Sequence, residues 1–489
     1  MSSHPDTPPA HRSSTEPPST EHSSTELPVT EPRNGGPGDE PAGSASTPTA
    51  SEPSTSAAGV STDGGSSGRV SRRAVLKGLG IGGGAIVLVG ATGIGVRGAT
   101  NGVWAQGQGA PYELWSSWQD LPGAAAIVAA GVLAANPHNL QPWSFTLHET
   151  TGGTGQGITS SIDATATIDL VDDPARATPT CDPDGRERAA GLGCAIQNMV
   201  IAAWARGLEA TVDAWPDGVP TGGRGADATA GAATTGHAAR LRLTPGAAPT
   251  DLERALAAAI SARHTNRGPY ADRPVDAATL DALTLDAPGG ATVHWVTAPS
   301  QLAALGALYV EATQAIVDDE PMSVEAFSWF RNDRSAIDTH RDGLTLDCQG
   351  LDGFTLAMAK ILPAQSRSAG DRFWVNSTRD VHTTTAAAYG IIRVADTTDP
   401  VARLAAGRLL QHVHLAATAA GLGLHHMNQI TERIARDATT GRPDVFSARW
   451  ADAIGIPASE GLLSFRLGHP IRTANPSPRR PLDAVLRTG

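Results

Sequence analysis

The chain has 489 residues, of which 49 are acidic and 37 basic, so its formal net charge is −12. This balance argues against a general nucleic-acid binder, which needs a concentrated basic face. The three cysteines, Cys181, Cys194 and Cys348, are too few and too irregularly spaced for a zinc site or a disulfide framework. We interpret them as small buried apolar side chains.

The first 70 residues differ in composition from the rest. They contain 24 Ser or Thr, 11 Pro and no aromatic residue, and three basic residues against nine acidic ones give them a charge of −6. Such a segment cannot bury enough apolar surface to offset the entropy lost on ordering. The composition therefore predicts a disordered, solvated, acidic arm over residues 1–70.

Residues 71–105 resemble a twin-arginine export signal. The run Ser71-Arg72-Arg73-Ala74-Val75-Leu76-Lys77 precedes residues 78–96, which carry no charge, and Val103-Trp104-Ala105 suits a signal peptidase. The resemblance implies recognition by the twin-arginine export machinery and an exported protein, secreted or associated with the cell envelope. A single membrane helix is the alternative, but eight glycines among these nineteen residues disfavour a helix. Cleavage after Ala105 and retention of 78–96 as a membrane tether both remain open.

The pattern from residue 106 onward predicts an α+β unit in two halves, 106–248 and 249–489. In the first half, apolar periodicity predicts helices over 122–135 and 186–206 and a strand over 143–148. Strands near 211–215 and 239–243 flank a segment, 217–240, that is rich in Gly, Ala, Thr and Asp. This composition predicts a surface loop.

The second half begins with a capping box, in which Thr250 and Glu253 satisfy each other's free amides at the start of a helix ending near 263. Further helices are predicted over 301–317 and 401–420, and strands over 292–297, 389–394 and 462–467. Residues 320–375 are rich in aromatic side chains and have no clear periodicity. A long segment of this kind predicts an irregular lid or binding loop.

Two short segments are candidates for chemistry. In residues 136–143, Asn139 and Gln141 each present a donor and an acceptor, which suits the edge of a heterocycle; turn capping is the alternative. In residues 263–267, Arg263 and Arg267 flank a hydroxyl residue, which suits a phosphate monoester and an adjacent polyol. A solvated basic helix end is the alternative there.

These segments, together with Pro476-Ser477-Pro478-Arg479-Arg480-Pro481-Leu482, resemble the nitroreductase family of flavin proteins over residues 120–487. The resemblance is to the long-chain, Acg-like subgroup, in which one chain carries two nitroreductase-like halves. Here the ring-side motif occurs only in the first half and the phosphate motif only in the second. The resemblance therefore implies a fused pseudo-dimer with a nitroreductase-like fold, helices packed on a mixed sheet, monomeric and binding one FMN between its halves.

The resemblance also implies roles for individual residues of the second half. Arg263 and Arg267 would hold the FMN phosphate, and His264 and Thr265 would line the ribityl chain. Arg480 would match the family's C-terminal phosphate arginine, with Arg479 assisting it.

In the first half, Asn139 would meet the isoalloxazine, and Gln141 would brace its loop or touch the ring. Residues 424–429 would approach the flavin edge, and the Trp329-x-Arg331 and Asp342-Gly343-Leu344 motifs would belong to the cover over the flavin. The family pattern requires no catalytic acid or base, and the resemblance assigns none.

Four histidines lie in the last quarter of the chain: His412, His414, His425 and His426. His412 and His414 are two residues apart on a predicted helix and point in nearly opposite directions, so they cannot easily share an ion. The sequence predicts no metal site, and we interpret these side chains as solvent-facing or as part of the cover over the flavin.

The resemblance implies an FMN-dependent oxidoreductase that reduces nitroaromatics, quinones or similar planar acceptors, because the flavin supplies the hydride chemistry. Outside the cytoplasmic membrane little NAD(P)H is available to reduce the flavin. An FMN storage or sequestration protein without turnover is therefore the alternative, and a surface protein with a degenerate flavin site is a third. An aromatic lid that fills the cleft would favour storage, whereas a mobile lid would favour an enzyme.

Overall fold

The computed structural model describes residues 97–149, 166–219 and 236–489, and all of them lie within one compact unit of the chain. The predicted arm, 1–70, and most of the predicted export signal lie outside the described residues. Within the described ranges, no helix combines the length and the hydropathy needed to cross a bilayer.

Helices make up most of the described chain. They are α1 Leu114–Ser117, α2 Gly123–Val132, α3 Arg186–Trp204, α4 Asp251–Ala262, α5 Ala277–Ala282, α6 Pro299–Asp318, α7 Glu320–Ser328, α8 Arg334–His340, α9 Gly353–Ile361, α10 Arg367–Ser377, α11 Pro400–Ala419, α12 Gln429–Thr440 and α13 Ser447–Ile454. The capping box predicted at Thr250 is present, because Thr250 Oγ1 accepts from the amide of Glu253 and the Glu253 carboxylate accepts from the amide of Thr250.

The strands form two main sheets, one built mainly from the first half of the chain together with the C-terminal strand, and one from the second half. They are β1 Trp143–Glu149, β2 Ala166–Asp172, β3 Leu208–Ala214, β4 His237–Pro245, β5 Thr292–Val296, β6 Phe330–Arg331, β7 Leu344–Thr345, β8 Ala388–Arg393, β9 Gly423–His426, β10 Gly461–Gly468 and β11 Leu486–Thr488. The first sheet has the order β11-β1-β2-β4-β3 and is mixed, because β11 runs parallel to β1. The second, β5-β8-β10-β9, is antiparallel.

The two sheets enclose a central pair of helices. α3 packs on the first sheet, α11 packs on the second, and the two helices pack against each other along most of their length. Close approach depends on Gly193 and Gly407: a Cβ on Gly407 would lie 1.9 Å from the carbonyl oxygen of Ala190. The predicted α+β architecture with two halves is confirmed.

Two sequence expectations were wrong. Residues 320–375 are not irregular, because α7, α8, α9 and most of α10 lie in them. Short helices of mixed polarity give little periodic signal when their apolar faces line a cavity instead of the main core. The predicted loop over 217–240 is shorter than expected, since β4 begins at His237; its part between residues 220 and 235 lies outside the described residues.

Candidate functional site

The loop between α2 and β1 holds the first predicted motif in a constrained backbone. His138, Asn139 and Gln141 have φ values of 46°, 55° and 54°, in the left-handed region that residues other than glycine seldom adopt. Asn136 Oδ1 accepts from the amide of Gln141 at 2.8 Å and supports this turn. Backbone strain of this kind is concentrated at functional sites, where the surroundings hold it in place.

Asn139 connects three parts of the chain. Its buried side chain donates from Nδ2 to the carbonyl oxygens of Pro478 (2.9 Å) and Gly343 (3.2 Å), and its Oδ1 accepts from Arg479. The side chain is therefore fixed at the wall of a small polar pocket that it lines together with Arg479.

Gln141 is placed as a brace. Its side chain is fully buried; Oε1 accepts from the amide of Arg480 at 2.8 Å and Nε2 donates to the carbonyl oxygen of Arg341 at 2.9 Å. Both ends of the amide are used by the protein itself. Of the two roles expected for Gln141, this arrangement fits the brace of the loop.

Arg263 and Arg479 form the floor of the small pocket. Their guanidinium carbons lie 5.5 Å and 4.9 Å from the ring centroid of Trp115, and both donate to the carbonyl oxygen of Leu133. Arg263 extends from the end of α4 in the second half, and Arg479 from the C-terminal segment. The folded chain thus places two cations next to each other, although 216 residues separate them in the sequence.

Neither of these buried arginines forms an ion pair within the described parts of the chain, and the Nε atom of each has no hydrogen-bond partner there. Burial lowers the pKa of Arg263 to about 10, and burial together with the charge of Arg263 lowers the pKa of Arg479 well below its ordinary value. Buried charges are normally paired. The pocket therefore requires an anion to balance these two cations.

Arg267, His264 and Thr265 line the same pocket. Arg267 donates to the carbonyl oxygen of Cys348 at 3.1 Å, and the ring of His264 packs edge-on against Trp115 with 4.6 Å between centroids. Burial and the neighbouring charges of Arg263 and Arg479 lower the pKa of His264 to about 3, so it is neutral at pH 7. The four residues of the 263–267 segment that were expected near a phosphate and a polyol, 263–265 and 267, converge here.

Arg479 and Arg480 are placed differently from the expectation. Arg479 is buried in the pocket, whereas the half-buried Arg480 directs its guanidinium to the carbonyl oxygens of Trp143 (3.5 Å) and Ala484 (3.3 Å). Arg480 does not line the pocket. Of the two C-terminal arginines, Arg479 is therefore the one that lines the pocket with Arg263 and Arg267.

A larger cavity of about 360 Å³ adjoins the small pocket. Five residues line both: Ala135, Asn136, His138, Arg267 and Leu344. Much of the remaining wall comes from the predicted lid, including Phe327, Phe330, Phe373 and Trp374. The arrangement suits a ligand with an anionic end and a flat apolar body.

Ion pairs fasten the lid. Asp342 accepts from Arg331 at 2.6 Å and also from Arg176 of the first half, and both arginines lie over the ring of Trp329. The amide of Gly343 donates to the carbonyl oxygen of Asn139 at 3.2 Å. The two lid motifs singled out in the sequence therefore meet each other and the loop of Asn139.

The four histidines singled out in the last quarter of the chain do not face solvent. His412, His414 and His425 are buried, and His425 and His426 line the large cavity. Burial lowers the pKa of His426 to about 3, with Arg263 and Arg267 adding to the effect. Among the described residues, no cluster of His, Cys, Asp or Glu has an arrangement suited to a metal ion.

The residues of the cavity wall that sequence reasoning missed include His138, Glu187 and Glu432. Glu187 is in the first turn of α3 and Glu432 in the first turn of α12, where acidic residues are common for reasons of helix polarity alone. They are 245 positions apart, so only the fold could bring them together. The ring-side motif itself marked His138, which lies beside Asn139.

No protein-family model matches the chain. It is similar to two curated proteins of Mycobacterium tuberculosis, "Putative NAD(P)H nitroreductase Rv3131" of strain H37Rv and its counterpart MT3217 of strain CDC 1551. Each is 25% identical over 392 residues, which cover 77% of this chain and 94% of the relative. This similarity supports a relationship to the nitroreductase family and a nitroreductase-type oxidoreductase.

Solved structures that resemble parts of the chain also carry nitroreductase names. The FMN-dependent nitroreductase NfnB from Mycobacterium smegmatis, in complex with NADPH, is 16% identical, with a TM-score of 0.32, and covers 49% of this chain and 100% of its own. A nitroreductase with bound FMN from Desulfitobacterium hafniense is 16% identical, with a TM-score of 0.28, and covers 46% of this chain and 94% of its own.

Proposed function

We propose that the protein is an FMN-dependent oxidoreductase of nitroreductase type that reduces planar acceptors such as quinones and nitroaromatics. One observation carries the proposal. Arg263 and Arg479, which are buried and have no counter-ion among the described residues, line a small pocket together with Arg267. This pocket adjoins a large cavity whose wall includes several aromatic side chains. A phosphate monoester on a planar heterocycle supplies the missing negative charge and fills the apolar space.

Residues from both halves would bind FMN. Arg263, Arg267 and Arg479 hold the phosphate dianion, because planar guanidinium groups donate pairs of hydrogen bonds to its oxygens. His264 and Thr265 line the part of the pocket that would hold the adjacent polyol. Nδ1 of His264 has no hydrogen-bond partner among the described groups and is available to a polyol hydroxyl. Asn139 fixes the wall of the pocket and Gln141 braces its loop. When bound, FMN supplies the hydride chemistry.

The first experiment is the visible spectrum of the purified protein during anaerobic addition of NADPH. We expect flavin absorption bands that bleach, and then return when a quinone is added. A protein without flavin bands after reconstitution with FMN would contradict the proposed cofactor. Flavin bands that persist with NADPH but bleach with dithionite would contradict reduction by nicotinamide.

A storage function is the second candidate, and the fastening of the lid favours it. The ion pair of Asp342 with Arg176 ties the cover to the first half, and its ion pair with Arg331 joins two parts of the cover. A closed cover would retain FMN and exclude acceptors. Persistent bands in the NADPH experiment, with FMN released only on unfolding, would support this alternative.

We further propose that the protein is exported by the twin-arginine route, on the evidence of residues 71–77. The buried ammonium group of Lys360 donates to the carbonyl oxygen of Gly102 at 3.1 Å, and Asn101 donates to the carbonyl oxygen of Lys360 at 2.7 Å. A cut after Ala105 would remove both contacts with α9, so we favour an uncleaved form tethered through 78–96. Replacing Arg72 and Arg73 by Lys should leave the protein in the cytoplasm, and unchanged export would contradict the route.

A further inference from the structure

Two carboxyl groups lie within hydrogen-bonding reach of each other at the wall of the large cavity. Glu187 is buried in the first turn of α3, Glu432 projects from α12, and both line the cavity. Neither forms an ion pair within the described parts of the chain. Two carboxylates in contact, without a cation, cannot both be ionised at neutral pH, so the pair holds one proton.

The surroundings favour one proton shared between the two carboxyls. Asn428 Oδ1 accepts from the amide of Ser464 at 2.9 Å, so its Nδ2 is free to donate to Glu187. Burial, followed by the charge of Glu432, raises the pKa of Glu187 well above its ordinary value, while burial raises that of Glu432 to about 7. The two carboxyls therefore form an acid pair that holds one proton between them.

Other charged groups near the pair do not neutralise it. Asp182 lies next to both carboxyls and adds negative charge, while it accepts from the amide of Glu187 at 3.1 Å. Glu325 accepts from the amides of Thr180 and Cys181 instead. Arg433, on α12, is the nearest cation, but its guanidinium is bound to Asp319 and Asp437.

Three buried polar atoms at this wall have no partner among the described groups: Oε1 of Glu187, Nε2 of His426 and Oε1 of Gln429. All three residues line the cavity. Buried polar atoms are nearly always hydrogen-bonded. Together with the shared proton, these atoms indicate a subsite for the polar end of a ligand.

The position of the subsite follows from α3. Cys194 on α3 lies near Arg263, whose charge opposes the rise that burial causes in the pKa of Cys194. Glu187 precedes Cys194 by seven residues on the same face of α3. Seven residues span about 10 Å of helix. The acid pair therefore lies about 10 Å further along α3 than Cys194.

We propose that Glu187 and Glu432 deliver a proton to the oxygen of a quinone or nitro acceptor bound in this cavity. The inference rests on the proposed function. The acceptor gains two electrons and a hydrogen, as hydride, from the reduced cofactor, which is thereby oxidised. At the same time the O–H bond of the acid pair breaks, a new O–H bond forms on the acceptor oxygen, and the pair regains its proton from water. A quinone becomes a hydroquinone in this way, whereas a nitro group loses the protonated oxygen as water and becomes a nitroso group.

The first test is infrared spectroscopy of the resting protein, which is independent of turnover. We expect a carboxylic-acid carbonyl band at pH 7 that shifts in D₂O and disappears in Glu187→Gln. Glu311→Gln is the matched control, because Glu311 forms an exposed pair with Arg449 outside the cavity. A wild-type spectrum identical to that of Glu187→Gln in this region would overturn the inference.

The second test separates proton delivery from electron delivery. The protein is reduced with dithionite and mixed anaerobically with benzoquinone or with ferricyanide, which takes electrons without a proton. We expect Glu187→Gln to be reoxidised by benzoquinone at least 100-fold more slowly, the lower range for a lost general acid, and by ferricyanide at the wild-type rate. Equal slowing with both acceptors would indicate a structural defect and overturn proton delivery, as would wild-type rates with both.

The third test is the dependence of the benzoquinone reoxidation rate on pH. Because the pair donates a proton, the benzoquinone rate of the wild type falls as pH rises through the pKa of the pair, and Glu432→Gln moves this fall. A flat wild-type profile would contradict the inference. Failure of the proposed function is distinguishable, because it appears as missing flavin bands, whereas the infrared test needs no flavin.

Discussion

Arg479 and Arg480 show how much one position along the chain matters. Arg479 is buried beside Arg263 and Trp115, with no carboxylate partner in the described chain. Arg480 is half-buried, and its guanidinium donates to backbone carbonyl oxygens. Hydrogen bonds to Asn139, Ser477 and backbone carbonyl oxygens offset part of the cost of burying Arg479, and an anion in the pocket would offset the rest. Its effect on ligand binding should therefore far exceed that of its neighbour.

We therefore expect Arg479→Ala to weaken FMN binding by about 10-fold or more, because a hydrogen bond to a charged group contributes about 1.5–3 kcal/mol. Arg480→Ala should keep its FMN. Fluorescence titration of the two apoproteins with FMN measures both constants. Equal losses, or a larger loss in Arg480→Ala, would contradict the assignment of Arg479 to the phosphate.

At the scale of elements, the crossing of α3 and α11 holds the two halves together. Gly407 faces the carbonyl oxygen of Ala190 so closely that no side chain fits, and Gly193 faces Leu404 in the same way. Glycine is unfavourable inside a helix by about 1 kcal/mol relative to alanine. Its presence in both helices reflects close packing, which brings the cavity-lining face of α3 beside the second half.

Replacing Gly407 by Ala should lower the free energy of unfolding by about 3 kcal/mol, the upper range for overpacking a core. Gly370→Ala in α10 is the control, because its Cβ would meet Phe327 only at 3.8 Å. Denaturant unfolding should show Gly370→Ala as stable as the wild type or more so. A similar effect of both changes would contradict tight packing at the crossing.

A second contact between elements depends on pH. Asp319, between α6 and α7, accepts from Arg433 at 3.1 Å and Arg442 at 2.6 Å, and also from Arg436. Burial by itself raises the pKa of Asp319, but these hydrogen bonds outweigh burial and lower the pKa to about 2. Its stabilising effect is therefore present above about pH 4, the ordinary pKa of Asp, and is lost as pH falls towards 2.

Asp319→Asn should lower the free energy of unfolding at pH 7 by about 3 kcal/mol, since it breaks a buried ion pair. The difference from the wild type should shrink as pH falls from 4 to 2. Glu311→Gln, which breaks an exposed pair, should cost less than about 1 kcal/mol. A difference between Asp319→Asn and the wild type that did not change with pH would contradict the ionised state of Asp319.

At the scale of the whole molecule, one chain supplies both walls of the candidate site. Asn139 comes from the first half, Arg263 from the second, and Arg479 from a C-terminal segment that continues into β11 at the edge of the first sheet. Residues from both halves of a single chain therefore line the pocket.

We expect the purified protein to be a monomer in size-exclusion chromatography with light scattering, with one FMN per chain. A dimer that loses FMN on dilution to the monomer would contradict a site built within one chain. A stable dimer that keeps one FMN per chain would contradict only the oligomeric state.

The sequence by itself determined the main helices and strands with strong periodicity, the capping box at Thr250, and the two motifs around Asn139 and Arg263. These signals are local: spacing, turn residues and side-chain chemistry within a few positions. The sequence did not predict the helices of the lid, because their apolar faces line the cavity and give little periodic signal.

Only the tertiary structure decided which of Arg479 and Arg480 enters the pocket, that Gln141 braces its loop, and that Glu187 meets Glu432. Each depends on contacts between residues far apart in the chain, where a single step in register or a close crossing of two helices changes the neighbour. The physical reason is that charge and hydrogen-bonding capacity are properties of a residue, whereas burial and partnership are properties of the fold.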